Sequence, residues 1–137
     1  MKYLVMVYGK QADYDAMNGQ ATPGHPAWSQ ADLRAMFAFM ESLNNDLAES
    51  GELVEGQGLT EPKQAIVITG GPDGKPVVSD GPFGETKEVL AGYWVLDCAS
   101  AERVTEIAKR VYECPAPEDS IVPDVVVRPI AEAPAEA

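Results

Sequence analysis

Few residues of this 137-residue chain have side chains suited to chemistry, and most of them gather in one stretch, SDGPFGETKE, from Ser79 to Glu88. Asp80 opens its Asp-Gly-Pro-Phe run. One reading makes its carboxylate a turn former that accepts backbone N–H groups; Pro82 has none, so Phe83 and Gly84 are the donors. The other makes it a general base in a pocket, which requires burial to raise its pKa towards working pH. Glu85 and Lys87 share one face if the chain is extended there. They form an exposed ion pair worth roughly 0–1 kcal/mol, or Lys87 holds an anionic substrate.

His25, the only histidine, lies in the loop TPGHPAW. A lone loop histidine is most often simply exposed, but imidazole titrates in the range that suits proton transfer. Trp28, beside it, is a hydrophobic staple or a pocket wall, and Tyr8 offers a hydroxyl at the end of the first apolar run. Asp80 and His25 are therefore the candidate catalytic groups. Lys87, Glu85, Phe83, Tyr8 and Trp28 are the candidate substrate contacts.

Other chemistries lack their residues. One histidine and two distant cysteines, Cys98 and Cys114, make no zinc motif. There is no Gly-x-Ser-x-Gly elbow and no phosphate-cradling Walker loop, and GQGLTE lacks the third glycine of a dinucleotide fingerprint. No cofactor and no metal are implied. The cysteines show neither CxxC spacing nor a disulfide-dense pattern, so free thiols and a cytoplasmic location are expected. A formal charge of −12 and a pI near 4.3 disfavour nucleic acid and anionic membrane surfaces as partners.

The elements that must position these residues follow from periodicity. KYLVMVY (Lys2–Tyr8) is a short apolar run, read as a strand. The polar segment after it, through Trp28, reads as a loop with at most a turn of helix. Ser29-x-x-Asp32 is a capping pattern, and Leu33, Met36, Phe37, Met40, Leu43 and Leu47 recur at helical spacing before Gly51 ends the helix. Glu52–Leu59 reads as a weaker strand, Gln64–Ser79 as a β-hairpin, and Glu88–Cys98 as a strand on which Tyr93 and Trp94 face opposite ways. Ser100 caps a second helix carrying Val104, Ile107, Ala108 and Val111. Ile121–Ile130 is a last strand, which Pro123 and Pro129 place at an edge or confine to pairing through its middle. Residues 1–130 make one domain, and the low-complexity 131–137 reads as a disordered tail.

The order β-α-β-(hairpin)-β-α-β predicts an α+β, ferredoxin-like domain with an antiparallel sheet. Two helices dry only one face of a four-stranded sheet, yet the strands carry apolar residues on both. A second copy of the chain is the simplest cover, so a homodimer is expected.

The stretch VVSDGPFGETKEVLAGYWVLD resembles the signature of the YCII-related, or DGPF, domain family. MKYLVMVYG, SGELVEGQGL, CPA and VVVRPI match in the same order from Met1 to about Ile130. The resemblance implies a dimeric α/β barrel in which two ferredoxin-like units pack sheet to sheet. It also implies kinship with a superfamily that includes muconolactone isomerases, some monooxygenases and dye- and haem-handling proteins. One branch is thought to use a His–Asp dyad, but this chain departs from it. His25 lies upstream of that branch's histidine, and Cys114-Pro115 stands where the branch has Asp-Pro, so the dyad is not carried over.

Together these readings point to a small-molecule-binding protein. They include a cofactor-free enzyme moving a proton on a small organic acid or lactone, in a cleft between helix and sheet. There Asp80 shuttles the proton and Lys87 stabilises the oxyanion. The alternatives are a ligand-sensing or accessory protein in stress-responsive transcription, since relatives accompany extracytoplasmic-function sigma factors, and a cofactor-free monooxygenase.

Overall fold

The computed structural model describes residues 1–80 and 87–133, with Ser79 and Asp80 described by their backbone alone. Among the described residues, six strands and three α-helices run in the order β1 (Lys2–Gly9), α1 (Gln11–Met17), α2 (Gln30–Glu49), β2 (Leu53–Gly58), β3 (Ile66–Gly70), β4 (Pro76–Asp80), β5 (Val89–Asp97), α3 (Ala101–Tyr112) and β6 (Val125–Pro129). Strands β2-β5-β1-β6 form an antiparallel sheet, and β3 and β4 pair by themselves as a two-stranded ribbon. This is the expected ferredoxin-like α+β arrangement, with the hairpin inserted between its second and third sheet strands.

The caps are where the sequence puts them. Ser29 Oγ accepts the Asp32 N–H at 3.1 Å, and Asp32 Oδ2 accepts the Ser29 N–H at 2.9 Å, so two donors at the start of α2 are satisfied reciprocally. Gly51, with φ +79, follows the helix in the left-handed conformation. Ser100 Oγ caps α3 by accepting from Arg103 N at 3.1 Å. β6 is an edge strand, one of the two placements its prolines allow.

The core lies between one face of the sheet and the helices α2 and α3. Tyr3, Val5, Trp94 and Leu96 from the strands meet Leu43, Leu47, Val104 and Ile107 from the helices. Strand residues of the other parity face away from this core. Among them Met6 is buried, Leu4, Tyr93 and Val95 are half-buried, and Val126 is exposed. On the ribbon, Ile66, Ile68 and Val78 share one exposed face.

An ion pair ties α3 to the start of β2. Arg103 donates from Nε to Glu52 Oε2 at 2.9 Å and from Nη2 to Oε1 at 2.8 Å, while Ser50 Oγ donates to Oε1 at 2.8 Å. These donors hold the Glu52 carboxyl down at about 2, the Arg103 hydrogen bond being the main cause.

The expected loop between β1 and α2 contains α1, which the polar composition concealed. The helix is held from outside its own sequence. Gln11, buried, donates from Nε2 to Asp15 Oδ1 at 3.0 Å and accepts the Lys63 N–H at 3.1 Å, and Ala16 O accepts from Trp28 N at 2.9 Å. Burial of a two-turn helix by such anchors outweighs weak local propensity.

Candidate functional site

The first half of α2 extends past the core, so its apolar stripe is only partly used in packing. Leu43 and Leu47 are buried, whereas Met36, Phe37 and Met40 look into a cavity of about 620 Å³. That volume suits a small-molecule site. The remaining walls come from α1, the loop carrying His25, the ends of β1, β2 and β5, and the segment from Cys114 to Pro123. The lining is mostly apolar.

At one wall His25 Nδ1 lies 2.9 Å from Asp13 Oδ1. The His25 side chain is 13% exposed and that of Asp13 30%, so the pair is partly withdrawn from water. The other oxygen of Asp13 is also engaged: Oδ2 accepts the Lys10 N–H at 2.7 Å at the first turn of α1. The carboxylate is thereby fixed at both oxygens, and it fixes the imidazole in turn. With Nδ1 committed to Asp13, Nε2 is the nitrogen left to a ligand, and among the described residues it has no hydrogen-bond partner.

The loop is built to hold that orientation. Thr22 and His25 exchange backbone hydrogen bonds of 2.9 and 3.1 Å, and Ile121 N donates to Gly24 O at 3.3 Å. Gly24 has φ +81, and a Cβ there would come within 2.7 Å of Ile121 Cδ1, so only glycine fits between the two loops. Tyr14, one residue after Asp13, donates its hydroxyl to Leu59 O at 3.0 Å; burial first, and the Asp13 charge second, push this phenol up.

Cys114 borders the cavity too. Burial pushes its thiol up to about 11, so it is protonated and a poor nucleophile at neutral pH. Both cysteines are free. Ser120, also in the wall, has its Oγ buried without a hydrogen-bond partner among the described residues.

Of the residues singled out from sequence, His25, Trp28 and Tyr8 border this one cavity. The Tyr8 hydroxyl is 3.5 Å from Met6 Sδ, a weak contact. Asp80 ends β4 opposite Ile66, on the ribbon rather than the main sheet. Lys87 is exposed just ahead of β5, and Phe83 and Glu85 lie outside the described residues. Tyr93 and Trp94 do face opposite ways, with Tyr93 donating to Glu55 at 2.8 Å and Trp94 to Asn44 at 2.8 Å. Both nonetheless border the cavity. Gly56, Gly58 and Gly92 have no side chains, so the cavity reaches the backbone of β2 and β5 there.

The residue that sequence reasoning missed is Asp13. A histidine–carboxylate pair is present, but its carboxylate comes from a short helix upstream and not from the position after α3. The signal available was the acidic cluster Asp13-Tyr14-Asp15 before the only histidine, which carries no fixed spacing.

Fold and site together define a ferredoxin-like α+β domain with a mostly apolar cavity and one imidazole beside a carboxylate. The YCII-related domain model matches residues 1–131, and the chain belongs to that family. It is also 31% identical over 83 residues to an uncharacterised protein of Rhizobium meliloti (strain 1021), a match covering 61% of this chain and 66% of that protein. No helix among the described residues is long and apolar enough to cross a membrane.

Proposed function

We propose that the protein binds a small molecule in the α2–sheet cavity and moves a proton on it, with His25 as the general base and Asp13 as its orienting partner. The observation that carries this reading is the 2.9 Å contact between His25 Nδ1 and Asp13 Oδ1 at the wall of an apolar cavity. In the neutral imidazole Nδ1–H donates to Asp13, which leaves the Nε2 lone pair for the substrate. That nitrogen takes a proton from a carbon next to a carbonyl; the C–H electron pair becomes the enolate, and Asp13 balances the imidazolium. Returning the proton to a different carbon completes an isomerisation. A positioned base of this kind contributes about 10²–10⁴-fold. The step requires neither Asp80, Lys87 nor a cysteine thiolate.

The second face of the sheet bears on assembly. Leu4, Val95 and Val126 present apolar surface that no helix among the described residues covers, and we infer that a second copy packs there, sheet to sheet.

The test of catalysis is incubation in D2O with a panel of lactones and enolisable ketones, followed by NMR. Deuterium entering at the carbon next to the carbonyl, and lost with His25→Gln, is the expected result. A compound that stabilises the protein against heat yet exchanges no proton would favour the non-catalytic reading, a ligand-sensing module.

A further inference from the structure

The charge and shape of the cavity wall say which molecules suit it. No lysine or arginine is among the described lining residues, and the one charged side chain there besides the imidazole is the carboxylate of Asp13. Elsewhere the balance is equally acidic, with 22 Asp and Glu against 10 Lys and Arg. An organic anion entering this space would lose its hydration, gain no cationic partner and meet a fixed carboxylate of its own sign.

The rest of the wall is aromatic and thioether-rich. Met36, Phe37 and Met40 line it from α2, and Trp28 and Tyr112 line it as well. Flat faces and polarisable, adaptable side chains suit a planar apolar body. The polar requirement is specific as well. With Nδ1 of His25 placed 2.9 Å from the Asp13 carboxylate, a neutral ring that keeps its proton on that nitrogen presents Nε2 as an acceptor, which asks for a hydroxyl or another donor on the ligand.

Resting on the proposed use of this cavity, we propose that its ligand is a planar, uncharged molecule that presents a proton donor to Nε2, a hydroxyl or the acidified C–H beside a carbonyl, and is not a carboxylic acid. The preference is set by the acidic, cation-free wall and by the single oriented acceptor at Nε2.

Three probes of one ring system separate the terms: 2-naphthol, 2-methoxynaphthalene and 2-naphthoate, each titrated into the full chain by calorimetry at pH 7. Both tryptophans of the chain, Trp28 and Trp94, border the cavity, so a matching change in tryptophan emission locates the binding. The expected order has 2-naphthol binding at least about tenfold more tightly than 2-naphthoate, and about fivefold more tightly than the methyl ether that cannot donate. Naphthoate binding as tightly as naphthol, or more so, would overturn the preference for uncharged ligands while leaving the cavity as a binding site. The ether matching naphthol would overturn the donor requirement. Binding of none of the three would defeat the reading of the cavity itself, and this inference with it.

Discussion

Two acid–base pairs in this molecule look alike on paper and differ in one respect. Glu52 and Arg103 are saturated: both carboxylate oxygens accept from the guanidinium, Ser50 adds a third bond, and the remaining Nη1 of Arg103 reaches Glu106 at 3.2 Å. Asp13 and His25 are saturated on the carboxylate side alone, through Lys10 N and Nδ1, and leave one ring nitrogen towards a cavity. A pair with every valence used holds two elements together. A pair whose second ring nitrogen has no partner among the described residues is the arrangement on which the proposed proton transfer rests.

Breaking each pair gives different readouts. The largest effect is expected for His25→Gln, which removes the open nitrogen and should lower the rate of substrate proton exchange by about 10²–10⁴-fold without moving the urea midpoint. Asp13→Asn keeps the ring but loses the charge opposite it, and should cut the same rate less. A large loss of stability in His25→Gln would make that pair structural after all.

Glu52→Gln should do the converse, leaving exchange intact and costing about 1–2 kcal/mol of unfolding free energy, after allowance for the partial exposure of Arg103. The sign with pH follows from the carboxyl, which is lowered from 4.5 to about 2 in the folded protein. Its stabilisation is therefore complete above pH 4.5 and is lost as pH falls from there towards 2. Urea melts across that window should show a steep acid loss in the parent chain and a shallower one in Glu52→Gln. Ser50→Ala, which removes one neutral donor from the same carboxylate, should cost about 1 kcal/mol in the same assay.

The smallest effect expected is at Cys114. With its thiol pushed up to about 11, iodoacetamide should modify it slowly at pH 7 and much faster only as pH nears 11. Rapid labelling at neutral pH would mean a thiolate in the cavity wall and would reopen nucleophilic chemistry there.

Much of the architecture was legible beforehand because it depends on local rules. Ser29, Asp32, Gly51 and Ser100 act within a few residues of themselves, whereas the strands carry apolar residues on both faces and so did not tell which face meets α2 and α3. What was hidden depends on contacts distant in sequence. Helix α1 lacks an apolar stripe and stands because Gln11 is bonded to Lys63 and because Tyr14 is bonded to Leu59. Asp13 became visible as a site residue only when that helix was turned towards His25. His25, Trp28 and Tyr8 were identifiable by type, but their meeting at one cavity was not, since it requires the overhang of α2.

Because His25 is the only histidine, selective 15N labelling of histidine reports a single imidazole. The most direct test follows that ring by NMR at neutral pH while 2-naphthol is added. The account predicts that the neutral form of the ring keeps its proton on Nδ1, and that the Nε2 resonance moves with saturation while Nδ1 stays nearly fixed. An Nε2 signal unmoved by a bound ligand, or a neutral ring carrying its proton on Nε2, would contradict it.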